Sequence, residues 1–176
     1  MLYFDTSFLV PLFLEEATST KVEQFLKRKS GLELAISHWT RVEFSSLLAR
    51  KVRLGALERR TAIAVDAQFE VVAAESFSIF LPSAEDFDLS KEYLRRFATG
   101  LRAGDALHLA IATNRGAGMI YSLDRGLLKA GRKLGLPVRT GTDCVAEGYF
   151  GFGAPRTFCH GSTFCSEAGI RSSADL

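Results

Sequence analysis

Four acidic residues stand in surroundings that acids ordinarily avoid. Asp5 follows the apolar run Leu2-Tyr3-Phe4, and Asp124 follows Met119-Ile120-Tyr121-Ser122-Leu123. Asp105 sits beside Ala106 and Leu107, at the head of a stretch that is apolar on most sides. Glu43 lies between Val42 and Phe44. An isolated carboxylate is kept out of such places unless it is paired or bound to a cation. Four of them brought together would repel one another, and a divalent cation would remove that repulsion. Oxygen donors alone select hard Mg²⁺ or Mn²⁺ over Zn²⁺. One or two such ions on a phosphodiester activate water and stabilise the leaving oxygen.

Each acid also has an ordinary structural use. Asp5 and Asp124 suit N-caps for the helices that follow them. Asp105 would complement a helix dipole, and Glu43 would pair with Arg41, Arg50 or another base. His108 lies three positions after Asp105, on the same helix face, and is read as a packed or hydrogen-bonded core residue rather than a ligand. His38-Trp39 is read as packing at a helix entrance, and Lys27-Arg28-Lys29 as a solvated helix end. Cys159, His160 and Cys165 are zinc-ligand types, but three groups without a fourth do not make a site.

The elements that must position the acids follow from hydrophobic periodicity. Leu2 to Phe4, Leu32 to Ile36, Met119 to Ser122 and Pro137 to Arg139 read as strands. Phe77 to Leu81 is apolar but of undecided type. Ser7 to Leu14 reads as one or two helical turns. Thr18 to Lys29, stopped by Ser30-Gly31, is a helix with Val22, Phe25 and Leu26 on one side. Thr40 to Arg53 is another, with Val42, Leu47 and Leu48 expected to point one way. Ala56 to Glu75, Ala84 to Phe97, Ala103 to Asn114 and Arg125 to Leu134 complete the helices. Short apolar strands alternating with helices argue an α/β fold with a mainly parallel sheet. Such sheets bind at the carboxyl ends of their strands, which is where Asp5 and Asp124 fall.

The chain has 176 residues, enough for one domain with its own core. Apolar residues make up 47 % and charged residues 24 %, the balance of a globular protein rather than a disordered one. A formal charge of +2 tolerates a nucleic-acid partner without demanding one. No secretory signal follows Met1, no apolar run reaches the ~18 residues of a spanning helix, and Cys144 is the first of three cysteines. A cytoplasmic protein that does not enter a membrane is therefore expected. Beyond Asp143 the composition turns to Gly, Ser, Thr and Cys without period. Residues 144–176 are read as a tail, disordered or loosely attached, outside a domain at 1–143.

Taken in order, Tyr3-Phe4-Asp5-Thr6-Ser7, Thr40-Arg41-Val42-Glu43, Arg102-Ala103-Gly104-Asp105-Ala106-Leu107-His108-Leu109-Ala110-Ile111-Ala112 and Tyr121-Ser122-Leu123-Asp124-Arg125-Gly126-Leu127 resemble a PIN domain, in particular the VapC-type toxins of toxin–antitoxin pairs. Each segment is weak alone; the four in this order over residues 1–143 are fairly specific. The resemblance implies a three-layer α/β/α fold around a mainly parallel sheet. It implies an endoribonuclease dependent on Mg²⁺ or Mn²⁺, with Asp5, Glu43, Asp105 and Asp124 as catalytic metal ligands. Supporting roles fall to Thr6, Ser7 and Ser122, the last standing where many members carry Thr. Arg41, Arg102 and Arg125, next to the acids in sequence, are the candidates for holding the RNA backbone. A small antitoxin and a homodimer are implied as partners; the composition of the Ala/Val-rich helix from Ala56 to Glu75 suggests it as the contact surface.

Competing readings are weaker. A haloacid-dehalogenase-type phosphatase would need an acid where Ser7 stands, and a receiver domain would need two early acids, a phosphoacceptor Asp and a Lys in an order not found. A PIN nuclease of RNA processing rather than a toxin, or a catalytically silent PIN-fold binding module, is the alternative. The presence of all four acids speaks against the silent module.

Overall fold

Short strands and helices alternate along the chain in a computed structural model that describes residues 1–29 and 31–142. Ser30 and the tail expected at 144–176, with Cys159, His160 and Cys165, lie outside the described residues. Strand β1 (Leu2–Phe4) runs into a short helix α1 (Thr6–Leu9), prolonged by a 3-10 turn at Val10–Leu12. Then come α2 (Ser19–Arg28), β2 (Leu34–Ser37), α3 (His38–Arg53), α4 (Arg59–Ser76) and β3 (Ser78–Phe80). Helix α5 (Ala84–Arg95), α6 (Ala103–Asn114), β4 (Met119–Tyr121), α7 (Arg125–Lys133) and β5 (Val138–Arg139) follow.

The five strands form one sheet in the order β3-β2-β1-β4-β5, and every pairing is parallel. Successive residues of a strand face opposite sides. Phe4, Ile36 and Tyr121 therefore enter one core with Phe8, Phe25, Phe44 and Phe69 from α1 to α4. Tyr3, Ala35 and Ile120 enter the other with Leu107, Leu109, Ile111, Leu127 and Leu128 from α6 and α7. The result is the expected three-layer α/β/α arrangement. Strands β1 to β3 march outward one way, and β4 and β5 lie on the other side of β1. The order therefore reverses between β1 and β4, where an open α/β sheet leaves a crevice at the carboxyl ends.

Two local readings change. The segment Phe77 to Leu81, undecided from sequence, forms the edge strand β3, each of its residues only half-buried. On α3 the inward residues are Thr40, Phe44 and Leu48. Val42, expected inside, is 57 % exposed. The reason is α4, which lies against α3 and recruits Phe44 to stack on Phe69 with ring centroids 4.0 Å apart. That contact turns the i, i+4, i+8 row of α3 inward and Val42 out. No helix among the described residues is long and apolar enough to cross a membrane.

Candidate active site

At the crevice between β1 and β4 lies an open cleft of about 300 Å³ lined by Asp5, Thr6, Ser7, Glu43, Ser46, Leu47, Arg50, Asp105 and Asp124. The four acids reach it from four different elements. Asp5 follows β1, Glu43 lies on α3, Asp105 in the first turn of α6, and Asp124 just beyond β4.

Asp5 is the most enclosed, only 4 % exposed. It caps α1 by accepting the Phe8 amide at Oδ1 (3.1 Å). The Ser7 hydroxyl donates across both carboxylate oxygens (2.9 and 3.0 Å), and Ser122 Oγ donates to Oδ2 (2.8 Å). Burial nevertheless pushes its pKa up to about 6, because these donors and the nearby His108 only partly offset the loss of water. Ser7 and Ser122 also join the two strand ends. Ser7 Oγ accepts the amides of Leu123 and Asp124 (2.9 and 3.1 Å), and Ser122 Oγ accepts that of Asp124 (2.9 Å).

Asp124 caps α7 through Oδ1, which accepts the amides of Gly126 (2.5 Å) and Leu127 (3.1 Å). A Cβ at position 126 would fall 2.9 Å from that oxygen, so glycine makes room for the cap. The capping use of Asp5 and Asp124 thus coexists with their place in the cleft. The Asp105 carboxylate accepts no hydrogen bond from any described residue. Burial raises its pKa, and the carboxylates of Asp124 and Glu43 raise it further. Glu43 is held differently. Burial pushes it up, but contact with His108, Thr6 and Trp39 outweighs that and leaves its pKa below the ordinary value. Thr6 Oγ1 donates to Glu43 Oε2 at 2.5 Å, and His108 Nε2 lies 2.7 Å from the same oxygen.

Asp105 thus stands close enough to Asp124 and Glu43 for their charges to disfavour its own, which a cation among them would relieve. As placed, however, no three His, Cys, Asp or Glu side chains among the described residues converge closely enough to hold one ion.

Of the three arginines expected to hold RNA, Arg41 points elsewhere. Its Nε donates to both oxygens of Glu70 (3.0 and 2.9 Å), and a further guanidinium nitrogen lies 2.5 Å from Glu70, tying α3 to α4. A partner 29 residues away on another helix had won it. Arg102 is exposed at the N-cap of α6, close enough for its charge to favour ionised Asp105. Arg125 is exposed at the start of α7. The cation that does line the cleft is Arg50. Glu43, Ser46, Leu47 and Arg50 fall at i, i+3, i+4 and i+7, so one helix face carries all four, a spacing readable in the sequence. Gly104 was also passed over. A Cβ there would stand 2.6 Å from Glu43 Oε1 and 3.5 Å from the indole nitrogen of Trp39. Bare backbone at 104 is what lets Glu43 reach the first turn of α6.

No curated protein sequence matches the chain. Solved structures of like fold include VapC20 of Mycobacterium tuberculosis, described as a sarcin–ricin-loop-cleaving toxin. It is 21 % identical over 74 % of this chain and 95 % of that one, with a TM-score of 0.60. A toxin–antitoxin complex from Klebsiella pneumoniae is 22 % identical over 80 % of this chain and 98 % of the matched one (TM-score 0.52). VapBC-1 of nontypeable Haemophilus influenzae is 15 % identical over 81 % of this chain and 100 % of the matched one (TM-score 0.58). At these identities the likeness is one of fold. The PIN domain profile matches residues 2–133, from the first residue of β1 to the last of α7, and the chain belongs to the PIN domain family.

Proposed function

We propose that the chain is a metal-dependent endoribonuclease, the toxin of a toxin–antitoxin pair, with Asp5, Glu43, Asp105 and Asp124 holding Mg²⁺ or Mn²⁺. The observation that carries this reading is the meeting of four carboxylates from four elements in one cleft, with Asp5 and Asp105 both pushed toward protonation. The donor set fits the ion: it is all oxygen, and its mutual repulsion is what a hard cation relieves. The Asp105 carboxylate, without a hydrogen bond to a described residue, is the ligand free to turn toward the ion. When bound, the ion would polarise the scissile phosphate and lower the pKa of an attacking water.

The chain's own residues supply the rest. Ser7 and Ser122 fix both oxygens of Asp5, and Thr6 fixes one of Glu43. Arg50, with Arg102 and Arg125 at the exposed helix starts, holds the RNA backbone through phosphate charge, which gives affinity without sequence choice. An RNA substrate and an antitoxin partner are consistent with the neighbours described as a sarcin–ricin-loop-cleaving toxin and a toxin–antitoxin complex. A homodimer through α4 accords with the exposure of Ile63 (62 %) and Val71 (55 %) on that helix. Ile63→Glu without loss of the dimer in size-exclusion chromatography would count against that surface. A cytoplasmic location goes with the same reading.

The deciding experiment incubates wild type and Asp5→Ala with total RNA, with Mg²⁺, Mn²⁺ or EDTA. Discrete fragments that need metal and vanish in a folded Asp5→Ala protein support the proposal. Equal cleavage by both proteins assigns the activity elsewhere. The silent binding module has one observation in its favour, the lack of three converging ligands among the described residues as placed. It becomes the better reading if neither protein cuts and calorimetry finds no metal bound.

A further inference from the structure

The nuclease reading leaves His108 without a task, although its ring is among the most enclosed polar groups of the fold, 1 % exposed. Its Nε2 lies 2.7 Å from Glu43 Oε2 and its Nδ1 lies 2.9 Å from the Tyr3 hydroxyl. That hydroxyl is also 2.9 Å from Ser37 Oγ. Ser37 is the N-cap of α3, the helix that carries Glu43, and accepts the Thr40 amide in a reciprocal capping box. The hydrogen bonds therefore close a circuit. It starts at the head of α3, crosses the central strand through Tyr3, passes to α6 through His108, and returns to α3 at Glu43.

The chemistry of each member sets the direction. An ionised carboxylate only accepts, so Nε2 carries the proton that faces Glu43. On the far side of the ring Nδ1 sits 2.9 Å from the Tyr3 oxygen, whose own proton goes to Ser37 Oγ, so the ring's orientation is fixed from both ends. Thr6 adds a second donor to the same Oε2. One oxygen of Glu43 is thus held inward from two sides, while Oε1 is left over Gly104, next to Asp105 in the chain.

We infer that His108, itself held by Tyr3, is a positioning residue that pins Oε2 of Glu43 and so sets the carboxylate for the divalent ion. Hydrogen-bond partners behind metal ligands act in this way generally, and their loss costs about 10- to 100-fold in metal affinity or activity. The inference rests on the proposed metal nuclease.

Its test compares the full-length wild type with His108→Gln and His108→Asn, reading Mn²⁺ affinity by calorimetry, kcat and KM on RNA at saturating Mn²⁺, and unfolding midpoints. Glutamine places an amide nitrogen near the Nε2 position and can still donate to Glu43. Asparagine reaches only the Tyr3 side. The expected result is Mn²⁺ affinity within about threefold of wild type for Gln, and about tenfold or more weaker for Asn. In the Asn variant kcat falls while KM for RNA holds, since the phosphate-binding cations lie elsewhere. If Gln and Asn lose affinity equally and in proportion to stability, the ring only fills space and the inference falls. If the wild type binds no Mn²⁺, the nuclease proposal falls with it. Should Asn fail to fold, the wild type alone decides through the imidazole Nε2–H proton resonance of His108. Movement of that resonance on adding Mg²⁺ supports the inference, and a resonance that stays put overturns it.

Discussion

Replacing Asp5 by asparagine should make the ion-free protein more stable at neutral pH and should abolish the proposed metal binding. The side chain is 4 % exposed, so little solvent screening applies. Burial raises its pKa from the ordinary 3.8 to about 6, against His108 and the donors Ser122, Ser7 and the Phe8 amide. A rise of that size corresponds to about 3 kcal/mol between the two protonation states. The folded state therefore holds a proton that the unfolded chain has released between pH 4 and pH 6. Stability from this group is full below about pH 4 and is lost as pH rises through about 6. Asparagine stays neutral throughout. Its amide nitrogen cannot accept as the lost oxygen did, which costs about 1 kcal/mol, leaving a net gain of about 2 kcal/mol at pH 7.5. For a domain of this size that is about 4–8 °C in Tm. The assay is denaturant unfolding of both proteins in EDTA at pH 4 and pH 7.5. The asparagine variant should lead at pH 7.5 and lose that lead at pH 4. Mg²⁺ at 100 times its Kd should then add about 2.7 kcal/mol to the wild type alone. A variant less stable than wild type at pH 7.5, or a gap that does not change with pH, would refute the claim that ionised Asp5 is strained without its ion.

Other perturbations separate the parts of the site. Gly104→Ala puts a methyl 2.6 Å from Glu43 Oε1 on a helix where Ala is favoured by about 1 kcal/mol over Gly. RNA cleavage should fall about tenfold or more while the unfolding midpoint barely moves, checked by cleavage rate beside urea titration. Arg50→Ala should weaken RNA binding and flatten its salt dependence by about one phosphate contact. Arg41→Ala should leave RNA affinity alone and lower stability by no more than about 1 kcal/mol, since its Glu70 partner is on α4. Ser122→Ala removes the donor to Asp5 Oδ2 and should shift the acid limb of the pH–activity profile upward, whereas Ser122→Thr should keep the wild-type limb.

The acids at strand ends were the most legible part of the sequence, because an apolar run broken by an acid marks both a strand and its exit. Asp5 and Asp124 were found that way, and α6 was bounded at Ala103 and Asn114 as the structure has it. What sequence could not show are choices made by distant partners. Arg41 sits beside Glu43 in the chain, yet Glu70 captures it from 29 residues away. His108 was read as hydrogen-bonded core, but its partners Tyr3 and Glu43 lie 105 and 65 residues off. Val42 was misplaced because α3 is covered by both the sheet and α4, so apolar residues recur on more than one side. Strand β3 was undecided because three half-buried edge residues carry too little period to separate strand from helix.

The hydroxyl of Ser7 accepts amides from Leu123 and Asp124, and Asp5 takes its donor from Ser122, 117 residues further on. This has a consequence for a chain still being made. Until β4 and the turn after it have left the ribosome, Asp5 has neither its anchoring hydroxyl at Ser122 nor its neighbour Asp124. At about 5–20 residues per second, those 117 residues take roughly 6–23 s to appear. Throughout that interval the nascent chain lacks the cleft, so any chemistry the four acids perform together has to wait until synthesis of the domain is nearly complete.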